Sequence, residues 1–209
     1  MREIKYIVVH TAAANIRNVD ASVIDKWHKE RGWEGIGYHF VVLDDKHDSK
    51  PDGTIEMGRP VEKVGAHVMG LNSNSVGICC CGDGDVNPFT IPQMTSLRSI
   101  ISKLMRDYDV PIENVIGHRE VNKLVENGII SSEYRTSKTC PGKKVNMDVI
   151  RNFVVEYNKE VLIPTPGQVE EFNKAVAVVN SMRPFFPNAI DSLDSFLSSP
   201  QVRFLGRTE

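Results

Sequence analysis

The chain has 209 residues, enough for one domain with a sizeable core and a short extension but too few for two ordinary domains. With 25 Lys and Arg against 27 Asp and Glu, its formal net charge of −2 gives no basic excess, so nucleic acid and anionic membrane surfaces are excluded as obvious partners and specificity is left to a pocket. No segment has the unbroken apolar length of a membrane span, and Met1-Arg2-Glu3-Ile4-Lys5 lacks the apolar core of a signal peptide. Cys79, Cys80 and Cys81 are consecutive and Cys140 stands far away, unlike a secreted disulfide framework. Synthesis in a cytoplasm, with reduced thiols, is the expectation.

The first element is the β-rich run Ile4-Lys5-Tyr6-Ile7-Val8-Val9-His10, followed by the small residues Thr11 to Ala14. His10 therefore ends a buried strand at its carboxyl edge, where open sheets tend to place their sites. A satisfied core histidine fits the same position equally well. Asp20 can cap a helix with Val23, Ile24 and Trp27 on one face, running to Gly32. The glycine-rich stretch from Gly32 to Gly37 leads into a strand through Leu43. Strict alternation there pairs Tyr38 with Phe40 and His39 with Val41, so either Tyr38 or His39 faces a site, not both.

The polar stretch Asp44 to Gly53, with a solvated His47, joins that strand to Thr54–Arg59 as a hairpin with a long loop. Gly65 to Ser75 is rich in Gly, Asn and Ser and reads as a surface loop able to line a cleft. Ser75 to Gly82 lacks polar alternation and is expected to be a central strand buried on both faces, its thiols serving as packing. Thr90 and Gln93 stand at capping-box spacing ahead of a helix with Met94, Leu97, Ile100, Ile101, Leu104, Met105 and Tyr108 inward. The strand Asn114 to His118 is the second to end on a histidine.

A loop of mixed composition, Val121 to Arg135, then leads to Thr136-Ser137-Lys138-Thr139-Cys140-Pro141-Gly142, a turn with a cysteine two residues after a lysine. Asn146 can cap a helix with Met147, Ile150, Phe153, Val154 and Tyr157 inward, closing the main domain near Lys159. Ile163 to Gly167 reads as a linker. Val169, Phe172, Val176 and Val179 form an apolar stripe that stops at Pro184, and a second short helix holds Ile190, Leu193, Phe196 and Leu197. The expected boundaries are residues 1–160 for the main domain and 161–209 for a helical extension.

His10, His118 and Cys140 make a His₂Cys set, which suits Zn²⁺ and leaves one position open for water. An open position implies catalysis, with water made more acidic by the metal attacking a carbonyl. Lys138 can meet the developing oxyanion, and Tyr38 can place a phenol beside it or shuttle a proton to the leaving amine.

In order along residues 4 to 157, Val8-Val9-His10-Thr11, Trp27-His28-Lys29-Glu30, Gly37-Tyr38-His39-Phe40, Gly65-Ala66-His67, Asn72-Ser73-Asn74-Ser75-Val76-Gly77-Ile78, Gly117-His118-Arg119-Glu120-Val121 and Lys138-Thr139-Cys140-Pro141 resemble the zinc N-acetylmuramoyl-L-alanine amidases of the phage-lysozyme type. The resemblance implies an α/β fold, a mixed central β-sheet flanked by helices, related to peptidoglycan recognition proteins. It implies hydrolysis of the amide between the lactyl group of N-acetylmuramic acid and L-alanine, zinc on His10, His118 and Cys140, and Tyr38 with Lys138 as the catalytic pair. Tyr38 is thereby favoured over His39.

His67, Asn72 and Trp33 are the expected substrate contacts, and His67 is the substitute ligand should Cys140 not bind metal. The segment Arg119 to Ser137 and the hairpin loop around His47 are longer than in the compact phage lysozymes, and both can reshape the cleft. The expected role is a phage or prophage endolysin, monomeric, made without a signal peptide and acting on the cell wall. Competing readings are a peptidoglycan-binding module without turnover, an amidase that also regulates an intracellular partner such as a polymerase, and, more weakly, a zinc protease.

Overall fold

The computed structural model describes residues 2–162. Beyond them only isolated positions between Gly167 and Ser181 are described, all helical. The expected stripe of Val169, Phe172, Val176 and Val179 and the second helix around Ile190 lie outside the described residues. The chain divides into two compact units, Met1–Val155 and Glu156–Glu209, and the account below concerns the first. Among the described residues no helix is long and apolar enough to cross a membrane.

Five strands form one mixed sheet: β1 (Tyr6–Thr11), β2 (Phe40–Val42), β3 (Ile55–Met57), β4 (Ser75–Cys80) and β5 (Val115–Gly117). Their order is β3-β2-β4-β1-β5. All neighbours run parallel except the β2–β3 hairpin. Among residues 2–162 four α-helices accompany them: α1 (Ala21–Glu30), α2 (Ile91–Tyr108), α3 (Val121–Glu126) and α4 (Met147–Leu162). A mixed sheet flanked by helices is the architecture the sequence led us to expect.

The period of two along each strand sorts the core. Ile7, Val9, Phe40, Val42, Val76, Ile78 and Cys80 pack against Leu97, Ile100, Ile101 and Leu104 of α2 and Ile150 and Val154 of α4. On the opposite face, Val41, Cys79 and Cys81 meet Ile24 of α1, while Tyr6, Val8 and Ile116 meet Val121 of α3. Every residue of β1 and β4 is buried, which is why neither strand shows polar alternation. The three consecutive thiols are free and buried, and serve as packing.

Local chemistry starts the helices where the sequence places them. Asp20 accepts the Val23 N–H at 2.9 Å. Thr90 and Gln93 form both halves of a capping box, and Asn146 accepts the Asp148 N–H at 2.9 Å. The Gln93 amide also reaches the carbonyls of Val42 and Cys81, at 3.2 and 3.0 Å, and so ties α2 to two strand ends.

Three expectations are corrected. Tyr38 does not share a face with Phe40. Phe40 lies in the α2-side cluster, whereas Tyr38 packs beside Val41 on the α1 side. Strand geometry begins only at Phe40, and Tyr38 and His39 are instead held by N–H donors from Arg59 and Gly58 and by the Gly77 carbonyl, so alternation does not extend back to them. His47 is not solvated. Its side chain is 8% exposed, with Nε2 3.6 Å from the Asp20 carboxylate and Nδ1 accepting the N–H groups of Ser49 and Lys50. Finally, part of the expected loop after His118 is the short helix α3, seated by burying Val121.

Candidate metal centre

His10 follows Val8 at a spacing of two, so its ring falls on the α1/α3 face at the carboxyl end of β1, where it is 1% exposed. β1 and β5 pair in parallel with Val9 opposite Gly117. The next residue along each chain segment, His10 in β1 and His118 just past β5, is a histidine, and the two rings stand 4.9 Å apart, edge to face. Cys140 arrives from a distant loop and sets its Sγ 3.6 Å from His10 Nδ1.

The ligand atoms of His10, His118 and Cys140 all lie within 4.8 Å of one another. Nitrogen and sulfur ligands at about 2.1 and about 2.3 Å from one tetrahedral Zn²⁺ are themselves roughly 3.6 Å apart. The His10–Cys140 separation has that span, so the donor set and its spacing both fit zinc.

The Cys140 loop is clamped from several sides. The Arg119 guanidinium donates to the carbonyls of Thr139 at 3.0 Å, Gly142 at 2.6 Å and Val145 at 2.6 Å. Its own N–H donates to the Cys140 carbonyl at 2.7 Å. Asp85 accepts from the Thr139 hydroxyl and the Lys143 N–H. Gly142, at φ +120°, lies so close to Gly84 that a Cβ on it would stand 2.0 Å from the Gly84 carbonyl carbon. Only glycine permits that backbone approach.

Burial keeps the three candidate ligands uncharged. It holds His10 well below its usual 6.5, with His67, His118 and Lys138 adding to the effect. It also brings His118 down to about 4, helped by Lys138. Burial pushes the Cys140 thiol up to about 11, against the opposing pull of the Thr11 N–H, Lys138 and Arg119. Both imidazoles thus offer lone pairs at neutral pH, and a bound dication would draw the proton off the thiol.

Of the two candidates in the glycine-rich entry to β2, Tyr38 is the one beside this centre, its ring 5.0 Å from that of His10. Burial, followed by the thiols of Cys79 and Cys140, raises its phenol well above 10. His39 is fully buried behind the site. Its Nδ1 accepts the Gly77 N–H at 2.9 Å, and its Nε2 faces the Lys63 carbonyl at 3.1 Å.

Residues 1–143 match the family described as N-acetylmuramoyl-L-alanine amidase. The chain belongs to that amidase family. The endolysin of Klebsiella phage KP32 is 39% identical over 126 residues, covering 57% of this chain and 78% of the endolysin. The endolysin of Escherichia phage T7 is 40% identical over 121 residues, covering 55% and 74%. Among solved structures, the N-acetylmuramoyl-L-alanine amidase LysC from Clostridium intestinale superposes with a TM-score of 0.59 at 32% identity, over 72% of this chain and 85% of that one. The fold, the family and the phage relatives agree on a peptidoglycan hydrolase of the amidase class.

Beside the candidate metal centre a pocket is lined by Trp33, His67, Asn72, His118, Tyr134 and Lys138. The three expected substrate contacts and the expected catalytic lysine therefore share one wall with a metal-ligand candidate. Trp33 is 41% exposed. Asn72 uses its carbonyl oxygen on the N–H groups of His67 and Val68, both at 2.9 Å. The long segment before Cys140 contributes Tyr134, whose ring covers Gly70 so closely that a Cβ there would stand 2.6 Å from it.

The sequence reading of this amidase assigned no role to Arg119, Asp85 or His28. His28 is buried, accepts the Gly37 N–H at 2.9 Å and lies between Trp33 and Tyr38, with ring separations of 4.6 and 5.4 Å. Its i, i+4 spacing from Ile24 was the available signal, since both fall on the buried stripe of α1. Arg119 and Asp85 had no such signal, because their partners lie far along the chain.

Proposed function

We propose that this amidase is a phage-type lytic enzyme of the bacterial cell wall. In this reading Zn²⁺ sits on His10, His118 and Cys140, and Tyr38 and Lys138 act on the amide between N-acetylmuramic acid and L-alanine. The convergence of two imidazoles and one sulfur, with His118 also lining the pocket beside them, carries the proposal. Bound Zn²⁺ supplies a Lewis acid for the amide carbonyl and makes water acidic enough to attack near neutral pH.

The protein's own groups account for the rest. A phenol held well above 10 stays protonated at working pH, so Tyr38 donates a hydrogen bond to the oxygen that gains charge as the carbonyl is attacked. One such donor contributes roughly 10²–10³ in rate. Lys138, exposed at the pocket edge, adds positive charge beside the same oxygen. Trp33 offers a flat apolar face to the substrate, and with its carbonyl oxygen occupied, Asn72 presents its amide N–H₂. His28, itself packed on Trp33, braces the Tyr38 ring.

The test is digestion of purified peptidoglycan by the zinc-loaded full chain, followed by mass spectrometry. Free L-alanine amino termini should appear without new reducing sugar ends. Tyr38→Phe should lower turnover about 10²–10³-fold with zinc stoichiometry unchanged. New reducing ends would mean a glycosidase, and binding without any cleavage would mean a recognition module; either outcome ends the amidase proposal.

A further inference from the structure

We infer that His67 is a positioning residue for the metal centre, the middle member of a hydrogen-bond chain that forces His10 to present Nδ1, rather than Nε2, to the metal. The inference rests on the zinc reading above and adds a determinant to it. His10 Nε2 lies 3.0 Å from His67 Nδ1, His67 Nε2 lies 3.4 Å from Ser75 Oγ, and Ser75 Oγ lies 2.7 Å from the Leu71 carbonyl oxygen. Each of the three side chains in this chain is buried.

A carbonyl oxygen can only accept, so the Ser75 hydroxyl spends its hydrogen on Leu71 and turns a lone pair toward His67. His67 Nε2 then carries a hydrogen, which leaves Nδ1 as the acceptor. His10 must answer with an Nε2–H donor, and its Nδ1 lone pair is left facing Cys140 at 3.6 Å. One backbone carbonyl thus sets the polarity of the whole chain and the ligating atom at its end, as partners behind a metal-bound histidine do.

The packing leaves His67 little alternative. A Cβ at Gly65 or Gly77 would stand 2.5 or 2.6 Å from its ring, so two glycines form the slot that holds the imidazole. The same two ring nitrogens that would otherwise be free for substrate are committed inside the protein. His67 walls the pocket while acting on the metal through His10.

Zinc affinity, measured by competition with a chromogenic chelator, tests this directly. His67→Leu should weaken zinc about 10–100-fold. His67→Asn sets an amide oxygen where Nδ1 stood, and should keep affinity within about threefold of wild type, since the acceptor that orients His10 remains. Wild-type affinity in His67→Leu would overturn the inference, as would equal losses in the two variants, because packing alone would then explain the effect.

Nitrogen NMR of the zinc-loaded wild-type chain decides the matter even if His67→Leu does not fold. It should show His10 with a protected Nε2–H and a metal-bound Nδ1, and the opposite assignment refutes the chain. A wild-type protein that binds no zinc would bring down the zinc reading along with it. Tight zinc in both wild type and His67→Leu would bring down this inference alone.

Discussion

Replacing Arg119 with methionine probes how the protein presents a thiol from a loop to two histidines on strand ends. The guanidinium makes three hydrogen bonds, to the carbonyls of Thr139, Gly142 and Val145, and so spans both sides of Cys140. Methionine keeps the apolar stem and removes every donor. A hydrogen bond to a charged group contributes about 1.5–3 kcal/mol when buried, and roughly 1 kcal/mol each is appropriate at this half-buried position, so the clamp amounts to about 3 kcal/mol.

If zinc must supply that ordering energy in the variant, affinity falls by about two decades, since each tenfold change is about 1.4 kcal/mol. Arg119→Lys should recover little of this, because an ammonium cannot serve three carbonyls set around a planar fork. Chelator competition gives the zinc affinity, and circular dichroism of the same samples shows whether the fold persists. A folded Arg119→Met protein with zinc affinity within about threefold of wild type would refute the clamp.

Cys140→Ser should strip the thiolate from the candidate site and lose stoichiometric zinc, as measured by elemental analysis after dialysis; full zinc and full lysis would overturn the ligand assignment. Gln93→Leu should destabilise the domain by about 2 kcal/mol, because it breaks the capping box and takes the Gln93 donor from the buried Cys81 carbonyl, while the Val42 carbonyl keeps the Cys81 N–H; zinc affinity should stay unchanged, and urea unfolding with chelator competition checks both. Burial, with Arg2 and Arg59 nearby, brings His39 down to about 4 despite the Lys63 carbonyl, so the neutral ring is the folded form. Its contribution is complete above pH 6.5 and is lost as pH falls from 6.5 to about 4, where the unfolded chain takes up a proton that the folded chain refuses, for a total of ~3 kcal/mol. The pH dependence of unfolding free energy should therefore be flatter in His39→Asn than in wild type over that window, and identical slopes would refute the assignment.

The elements legible in this sequence are those fixed by neighbours. Asp20, Thr90 with Gln93, and Asn146 start helices through bonds to residues two or three positions away, and the unbroken apolar runs of β1 and β4 announce strands buried on both faces. His10 and His118 were readable as a pair because each ends such a run. Cys140 joined them through its turn, its lysine and the family resemblance. That much follows from period and local hydrogen bonding, which a linear reading can follow.

What remained hidden depends on contacts between residues remote in sequence. The β1–β5 register that sets two histidines side by side was invisible, and so was the failure of alternation at Tyr38, where bonds from Gly58, Arg59 and Gly77 override strand geometry. His10 and His67 are 57 positions apart and share a hydrogen bond, and Arg119 reaches carbonyls 20 to 26 positions away. The sequence by itself determined which side chains could bind a metal. Only the tertiary structure decided which nitrogen faces the centre and what holds the cysteine there, because hydrogen-bond direction and loop anchoring exist only once distant segments have packed.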